Sequence, residues 1–358
     1  MTSRLALDGD AEKQTERHPK RHASHDEYSI QLVRRVCQAA GDFHCINHAR
    51  ADLKRHGVNK AVRTHDSRPL FDWLMNTVSY QGISDRAAAV YIEQHGQASW
   101  RKIANTVRSS PRCPKLRGYW CFDGCRYEKN KTTCAEPKRI QRCPLPRLDL
   151  RNGRLNQTAY SLFFFVRDVA QGDLVAWIDH QLSDETVAHE SLALHEALIA
   201  PMRCIFGVSD KVLNMALSTL LIGARRSGSR WFEVGSRMVV IDSLVHNFLH
   251  RTGILRRLDA EHSYGPLCYE GGFCAEIATR LSSVIDASEF NREFPKDFPR
   301  FVQHAIWRYC AQDEWNVCNG VRVRDGKRCV NRWCQLFQDC DRVKIPTNTR
   351  QRILIRGG

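Results

Sequence analysis

A chain of 358 residues that is 42% hydrophobic and 26% charged can bury a full core, which excludes a disordered tract and a small disulfide scaffold. Lysine and arginine outnumber the acids 54 to 39, a balance that favours a polyanion such as nucleic acid as partner. The apolar run Leu162–Val166 ends at Arg167 and Asp168, far short of the roughly 20 residues that cross a bilayer.

With no apolar signal segment at its start, the sequence reads as a soluble cytoplasmic protein (nucleoid-associated in a bacterial cell), with a monomer expected. Residues 1–26 are rich in charge, His and Ser, without periodic apolar positions, and predict a flexible arm. Ile30, Leu32, Val33 and Val36 then give one apolar helical face between Tyr28 and Ala40. A second helix is predicted over Leu70–Tyr80. Gly82 ends it and Ser84 or Asp85 caps a third that stops at Gly96. A short helix follows from Ser99.

Residues 109–150 break this rhythm with Cys113, Cys121, Cys125, Cys134, Cys143 and five prolines, and predict an insertion with little regular structure. Fifteen Lys and Arg against four Asp and Glu fall within 101–158, so most of the net charge of +15 sits there, which suits a phosphate-facing patch. Helical spacing resumes at 159–169, 173–178, 191–200, 211–222, 242–251, 274–285 and 299–311, and no strand-like alternation runs through these regions. The fold class expected is mostly α.

Two positions carry chemistry-bearing side chains at predicted helix starts. Ile205-Phe206-Gly207-Val208-Ser209-Asp210-Lys211 reads as a tight turn that delivers a lysine to a helix N-terminus, where free N–H groups favour an anion. Val239-Val240-Ile241-Asp242-Ser243 places a carboxylate at the start of another helix. A carboxylate can stabilise the positive charge that develops on a sugar when its N-glycosidic bond breaks, and a lysine amine can attack the anomeric carbon to form a Schiff base. Taken singly, Asp242 reads as an ordinary N-cap and Lys211 as a surface residue. Gln81 by itself reads as a helix-cap side chain.

Fifteen cysteines, an odd number without a secretion signal, argue for metal or cluster ligation. Cys318, Cys329, Cys334 and Cys340 are separated by ten, four and five residues, in a basic stretch with Arg322, Arg324, Lys327 and Arg328. Four thiolates suit a [4Fe–4S] cluster, with zinc the alternative. Cys310 could stand in for Cys318 but would lie inside a predicted helix. Cys113, Cys121, Cys125 and Cys134, with Cys143 spare, make a second candidate metal site that fits no strong zinc spacing. Cys268 and Cys274 carry little signal, and Cys37, Cys45 and Cys204 read as core residues.

At four places in order the chain resembles the endonuclease III superfamily of helix–hairpin–helix DNA glycosylases. These are Ser79-Tyr80-Gln81-Gly82, Gly207-Val208-Ser209-Asp210-Lys211, Val240-Ile241-Asp242-Ser243-Leu244-Val245-His246 and the cysteine tail. The resemblance implies a two-lobed helical fold, with a barrel lobe at 65–238 interrupted by the insertion and a cluster lobe of 27–64 with 239–345, leaving 346–358 as a tail. It also implies base excision from double-stranded DNA carrying a damaged or modified base, with abasic-site lyase activity. Lys211 would be the nucleophile, Asp242 the stabilising carboxylate and Gln81 the residue that fills the space of an extruded nucleotide. Gly207, Ser209 and the tail cations would hold phosphates.

Three features depart from that pattern. Ser209 replaces a glycine, which tolerates left-handed backbone better than serine does; the stretch from Lys211 to Asp242 carries extra residues around Arg225-Arg226-Ser227-Gly228-Ser229-Arg230; and the first two gaps between tail cysteines are longer than the family's. A metal-containing DNA-binding or damage-sensing protein of the same fold, without the chemistry, is the rival expectation.

Overall fold

The computed structural model describes residues 19–40, 45–79, 85–109, 113–136, 143, 145–148, 153–183, 191–319 and 324–345. Helices dominate them, joined by a single two-stranded ribbon among the described residues. In chain order they are α1 (Pro19–Ala40), α2 (Cys45–Arg55), α3 (Val58–Thr64), α4 (Ser67–Ser79), α5 (Asp85–His95), α6 (Trp100–Ser109) and α7 (Tyr119–Phe122). The ribbon β1 (Tyr127–Glu128) and β2 (Thr133–Cys134) follows. Then come α8 (Asn156–Phe164), α9 (Leu174–Gln181), α10 (Ser191–Met202), α11 (Asp210–Ala224), α12 (Arg230–Arg237), α13 (Ser243–Arg251), α14 (Ile254–Arg257), α15 (Cys274–Ser283) and α16 (Pro299–Cys310). None is long and apolar enough to cross a membrane.

The helix α1 begins at Pro19, so the last part of the expected arm is helical; residues 1–18 lie outside the described set. Helices α3, α7, α12 and α14, none longer than eight residues, escape the sequence reading. Isolated turns of this length are marginal and depend on tertiary burial.

Buried apolar side chains sort into two cores. One gathers Val58, Ala61 and Val62 of α3, Phe71 and Trp73 of α4, Phe163–Phe165, and Leu213, Leu217 and Leu221 of α11. The other gathers Leu32, Val33 and Val36 of α1, Phe248 and Leu249 of α13, Ile277 of α15, and Phe301 and Ile306 of α16. The boundary differs from the expected one, because α3 belongs to the first core and α2 serves both, with Leu53 in one and Ile46 and Ala49 in the other.

The joint between the cores is built on α11. A Cβ at Gly223 would stand 2.8 Å from Leu53 Cδ1 and 2.9 Å from the carbonyl carbon of Ala49, so only glycine lets α2 approach this closely. From the second core, Arg300 of α16 donates from Nε to Ser218 Oγ of α11 at 3.1 Å.

The insertion is more ordered than its composition suggests. Leu116, Phe122, Tyr127, Leu145 and Leu148 are buried in the first core, and the phenol of Tyr127 donates to the Gly153 carbonyl at 2.6 Å. Asn156 accepts from the Leu148 amide at 2.8 Å, and Gln157 donates to the Cys125 carbonyl at 2.9 Å. Five apolar anchors and these bonds tie down a segment that sequence alone reads as loop.

Candidate active site and metal centres

Between α10 and α11 the chain turns at Ile205–Ser209. Gly207 has φ +75°, and a Cβ there would stand 3.3 Å from Thr158 Oγ1, so the turn favours glycine twice over. Two bonds strap the turn to α8: Thr158 Oγ1 donates to the Phe206 carbonyl at 2.7 Å, and the Phe206 amide donates to Ser161 Oγ at 3.1 Å.

Ser209, which the sequence reading treated as a strained substitute for glycine, has φ −91° and ψ 161°. That is ordinary extended backbone for an N-cap, so no strain arises. Its side chain makes no cap hydrogen bond, and the residue is exposed. Asp210 is held beside the turn by Arg203, whose Nε donates to Oδ2 at 3.0 Å. Lys211 follows in the first turn of α11, half-buried.

Asp242 is the N-cap of α13. Its Oδ1 accepts from the amides of Leu244 at 3.0 Å and Val245 at 2.9 Å, so the second oxygen takes no part in the cap. Burial raises the carboxyl pKa above its ordinary value. The Val245 bond and then the charge of Lys211 oppose that rise without cancelling it. Lys211 and Asp242 therefore sense each other electrostatically although one heads a helix of the first core and the other a helix of the second. The backbone that leads to Asp242 is clamped, because the Ile241 amide donates to the Tyr269 hydroxyl at 3.0 Å and Gln303 accepts from the Val240 amide at 3.3 Å.

The tail cysteines converge. Cys318, Cys329, Cys334 and Cys340 line one cavity with about 330 Å³ of atom-free space, some of it open to solvent, together with Phe248, Arg251, Tyr309 and Leu336. Arg251 is 1% exposed and donates from Nη1 to Cys318 Sγ at 3.3 Å. Tyr309 Oη lies 3.1 Å from Cys334 Sγ, and the Arg342 amide donates to Cys340 Sγ at 3.4 Å. Donors aimed at sulfur and a buried guanidinium suit a set of thiolates, so these residues fit a [4Fe–4S] group or another cysteine-bound metal. Cys310 lies within hydrogen-bond reach of Cys318 but is not part of the cavity wall. Around the cavity Arg324, Lys327 and Arg328 are exposed, as is Trp333 at 98%; Gln81 and Arg322 lie outside the described residues.

In the insertion the structure changes the membership of the second thiol group. Cys125 feels the charges of Cys113, Cys143 and Cys134, whereas Cys121 on α7 is exposed. The ribbon explains the difference. Its register pairs Tyr127 with Cys134, which folds Cys134 back beside Cys125, and the chain returning through Cys143 closes the group. Counting forward from Cys113 cannot reveal that return.

A further group went unread in the sequence. His246, His262, Cys268 and Cys274 place four donor atoms within 4.8 Å of one another, and can hold a metal ion. The spacing His262-x5-Cys268-x5-Cys274 was the available signal. His246, sixteen residues upstream of His262, was masked by its place on an amphipathic helix.

No family model, no curated protein and no solved structure matches this chain.

Proposed function

We propose that the chain is a helix–hairpin–helix DNA glycosylase that excises a damaged or modified base from double-stranded DNA and then acts as an abasic-site lyase. The observation that carries this reading is that the charge of Lys211, which follows the Gly207 turn at the start of α11, reaches the half-buried carboxyl of Asp242 and opposes the burial-driven rise of its pKa.

In this reading the amides at the start of α11, beside the exposed Ser209, seat a phosphate of the lesion strand. The target nucleotide is extruded from the duplex, since its anomeric carbon is out of reach inside the stack. Ionised Asp242, fixed through Oδ1, offers its second oxygen to the positive charge that develops on the sugar. Lys211 Nζ, as the free amine, attacks the anomeric carbon as the base departs with the glycosidic electron pair. The C1′–O4′ bond then breaks as the nitrogen's proton passes to O4′, and the resulting Schiff base acidifies C2′–H and permits elimination of the 3′ phosphate. The basic insertion and the cations of the cysteine loop extend the phosphate contacts outward. A [4Fe–4S] group held by Cys318, Cys329, Cys334 and Cys340 would stiffen that loop.

The cap bonds of Asp242 favour a second reading, a DNA-binding or damage-sensing protein without chemistry, in which the carboxylate only starts a helix. Borohydride trapping on abasic-site DNA separates the two. A covalent adduct that disappears in Lys211→Ala supports the lyase; no adduct with the intact chain, or an undiminished one in the variant, sinks it. Base release over a panel of lesion duplexes is measured alongside, because a glycosylase lacking lyase activity releases base and leaves no adduct.

A further inference from the structure

We infer that His246, His262, Cys268 and Cys274 form a mononuclear zinc site, separate from the cavity of the tail cysteines. His246 Nδ1 lies 3.4 Å from Cys274 Sγ and 3.6 Å from Cys268 Sγ. His262 Nε2 lies 3.4 Å from Cys268 Sγ and 3.5 Å from Cys274 Sγ. Each imidazole nitrogen thus faces both sulfurs at nearly one distance.

That distance matches the edge of a zinc tetrahedron. Zinc bonds of about 2.3 Å to sulfur and about 2.0–2.1 Å to nitrogen, set at tetrahedral angles, place nitrogen and sulfur about 3.6 Å apart. All four observed separations fall within 0.2 Å of that edge. A metal-free cluster of thiols and imidazoles does not account for them as well. The two S–H protons and an Nδ1–H on His246 supply at most three hydrogen bonds, and there are four contacts to fill. The other nitrogen of His262 lies 2.7 Å from the Ala260 carbonyl, which selects the tautomer that donates from Nδ1 and leaves Nε2 as a ligand.

Charge and burial agree with the ion. Two thiolates neutralise Zn²⁺, so the complete group enters the interior without net charge, and His246, Cys268 and Cys274 are each at most 2% exposed. The four donors come from α13, from the loop at 258–273 and from the first residue of α15. Two imidazoles and two thiolates fill a tetrahedron, which describes a structural site with no place for substrate. Its effect is to pin that loop to α13, one turn from Asp242. The loop carries Tyr269, which clamps the Ile241 backbone, so the ion is a brace for the carboxylate's position.

This assignment does not depend on the glycosylase reading. The experiment is elemental analysis together with zinc-edge X-ray absorption on the purified full-length chain. At least one zinc per chain is expected, with both imidazole nitrogen and sulfur in its first coordination sphere. Changing Cys268 and Cys274 to serine together removes one equivalent of zinc and leaves iron unchanged. A zinc-free chain, iron at these donors, or a zinc count untouched by the double change overturns the site. If the double variant fails to fold, His262→Cys keeps four donors and shifts the sphere from nitrogen toward sulfur at constant zinc; an unshifted spectrum overturns the assignment.

Discussion

The hydroxyl of Tyr269 stands 3.0 Å from the amide nitrogen of Ile241 and 3.2 Å from its carbonyl oxygen, and so joins the histidine- and cysteine-bearing loop to the residue just before Asp242. An aromatic hydroxyl thereby fixes the peptide from which the candidate catalytic carboxylate projects. Tyr269→Phe removes both bonds at nearly constant volume. It should cost about 1–2 kcal/mol of stability and slow single-turnover base release about tenfold, while leaving DNA affinity unchanged. Denaturant melts and a gel-based release assay read the two effects; unaltered release would disconnect Tyr269 from the site.

Asp242→Asn and Asp242→Ala separate the cap from the chemistry. Asparagine keeps an oxygen for the Leu244 and Val245 amides, so its stability should lie within about 1 kcal/mol of the parent, whereas alanine loses the cap at a cost of about 1–2 kcal/mol. Both should depress base release at least about 100-fold, since both remove the charge. Release that survives in the asparagine variant would leave Asp242 a helix cap only.

The pH dependence of Asp242 has a defined sign. Its pKa is raised in the folded chain, so the native state binds the proton more tightly than the unfolded one. The stability from that proton is fully present below the unfolded carboxyl pKa and is lost as pH rises through the folded value. Wild type should therefore gain on Asp242→Asn as the medium is acidified through this window and lose that advantage above it. Base release should show the opposite trend, falling on the acid side at a pH above the ordinary carboxylate range. Urea midpoints of both proteins and a wild-type pH–rate profile test the pair of trends.

Arg251 is enclosed against the tail cysteines and pairs with Asp325. Arg251→Met should lose about 2 kcal/mol through the lost sulfur donor and the lost bond to the part-exposed Asp325, and the purified protein should hold substantially less metal in that cavity. Iron and zinc analysis checks this. Full metal content would show that Arg251 braces the loop independently of any ligand.

Gly223→Ala tests the joint where α2 packs on α11 between the two cores. The added methyl meets Leu53 and the Ala49 backbone at under 3 Å, so α2 must move off α11 at a cost of about 1–3 kcal/mol. Adduct formation should weaken even though no reacting group has changed. A melting profile like the parent's would refute the close contact.

Sequence by itself determined the helical class, because 3.6-residue apolar spacing needs only neighbours along the chain. It also located the two helix starts at Lys211 and Asp242, since glycine turns and capping carboxylates are local signals. Tertiary structure decided the rest. It released Ser209 from the strain assigned to it, because ψ near 161° lies outside the left-handed region that the glycine comparison suggested. It exchanged Cys121 for Cys143, because a ribbon register and a returning chain choose neighbours that counting along the sequence cannot. It assembled His246 with His262, Cys268 and Cys274, because the fold brings a helix residue sixteen positions upstream of His262 within 4.8 Å of the other three donor atoms. Local chemistry sets what each residue can do; the folded path sets which residues do it together.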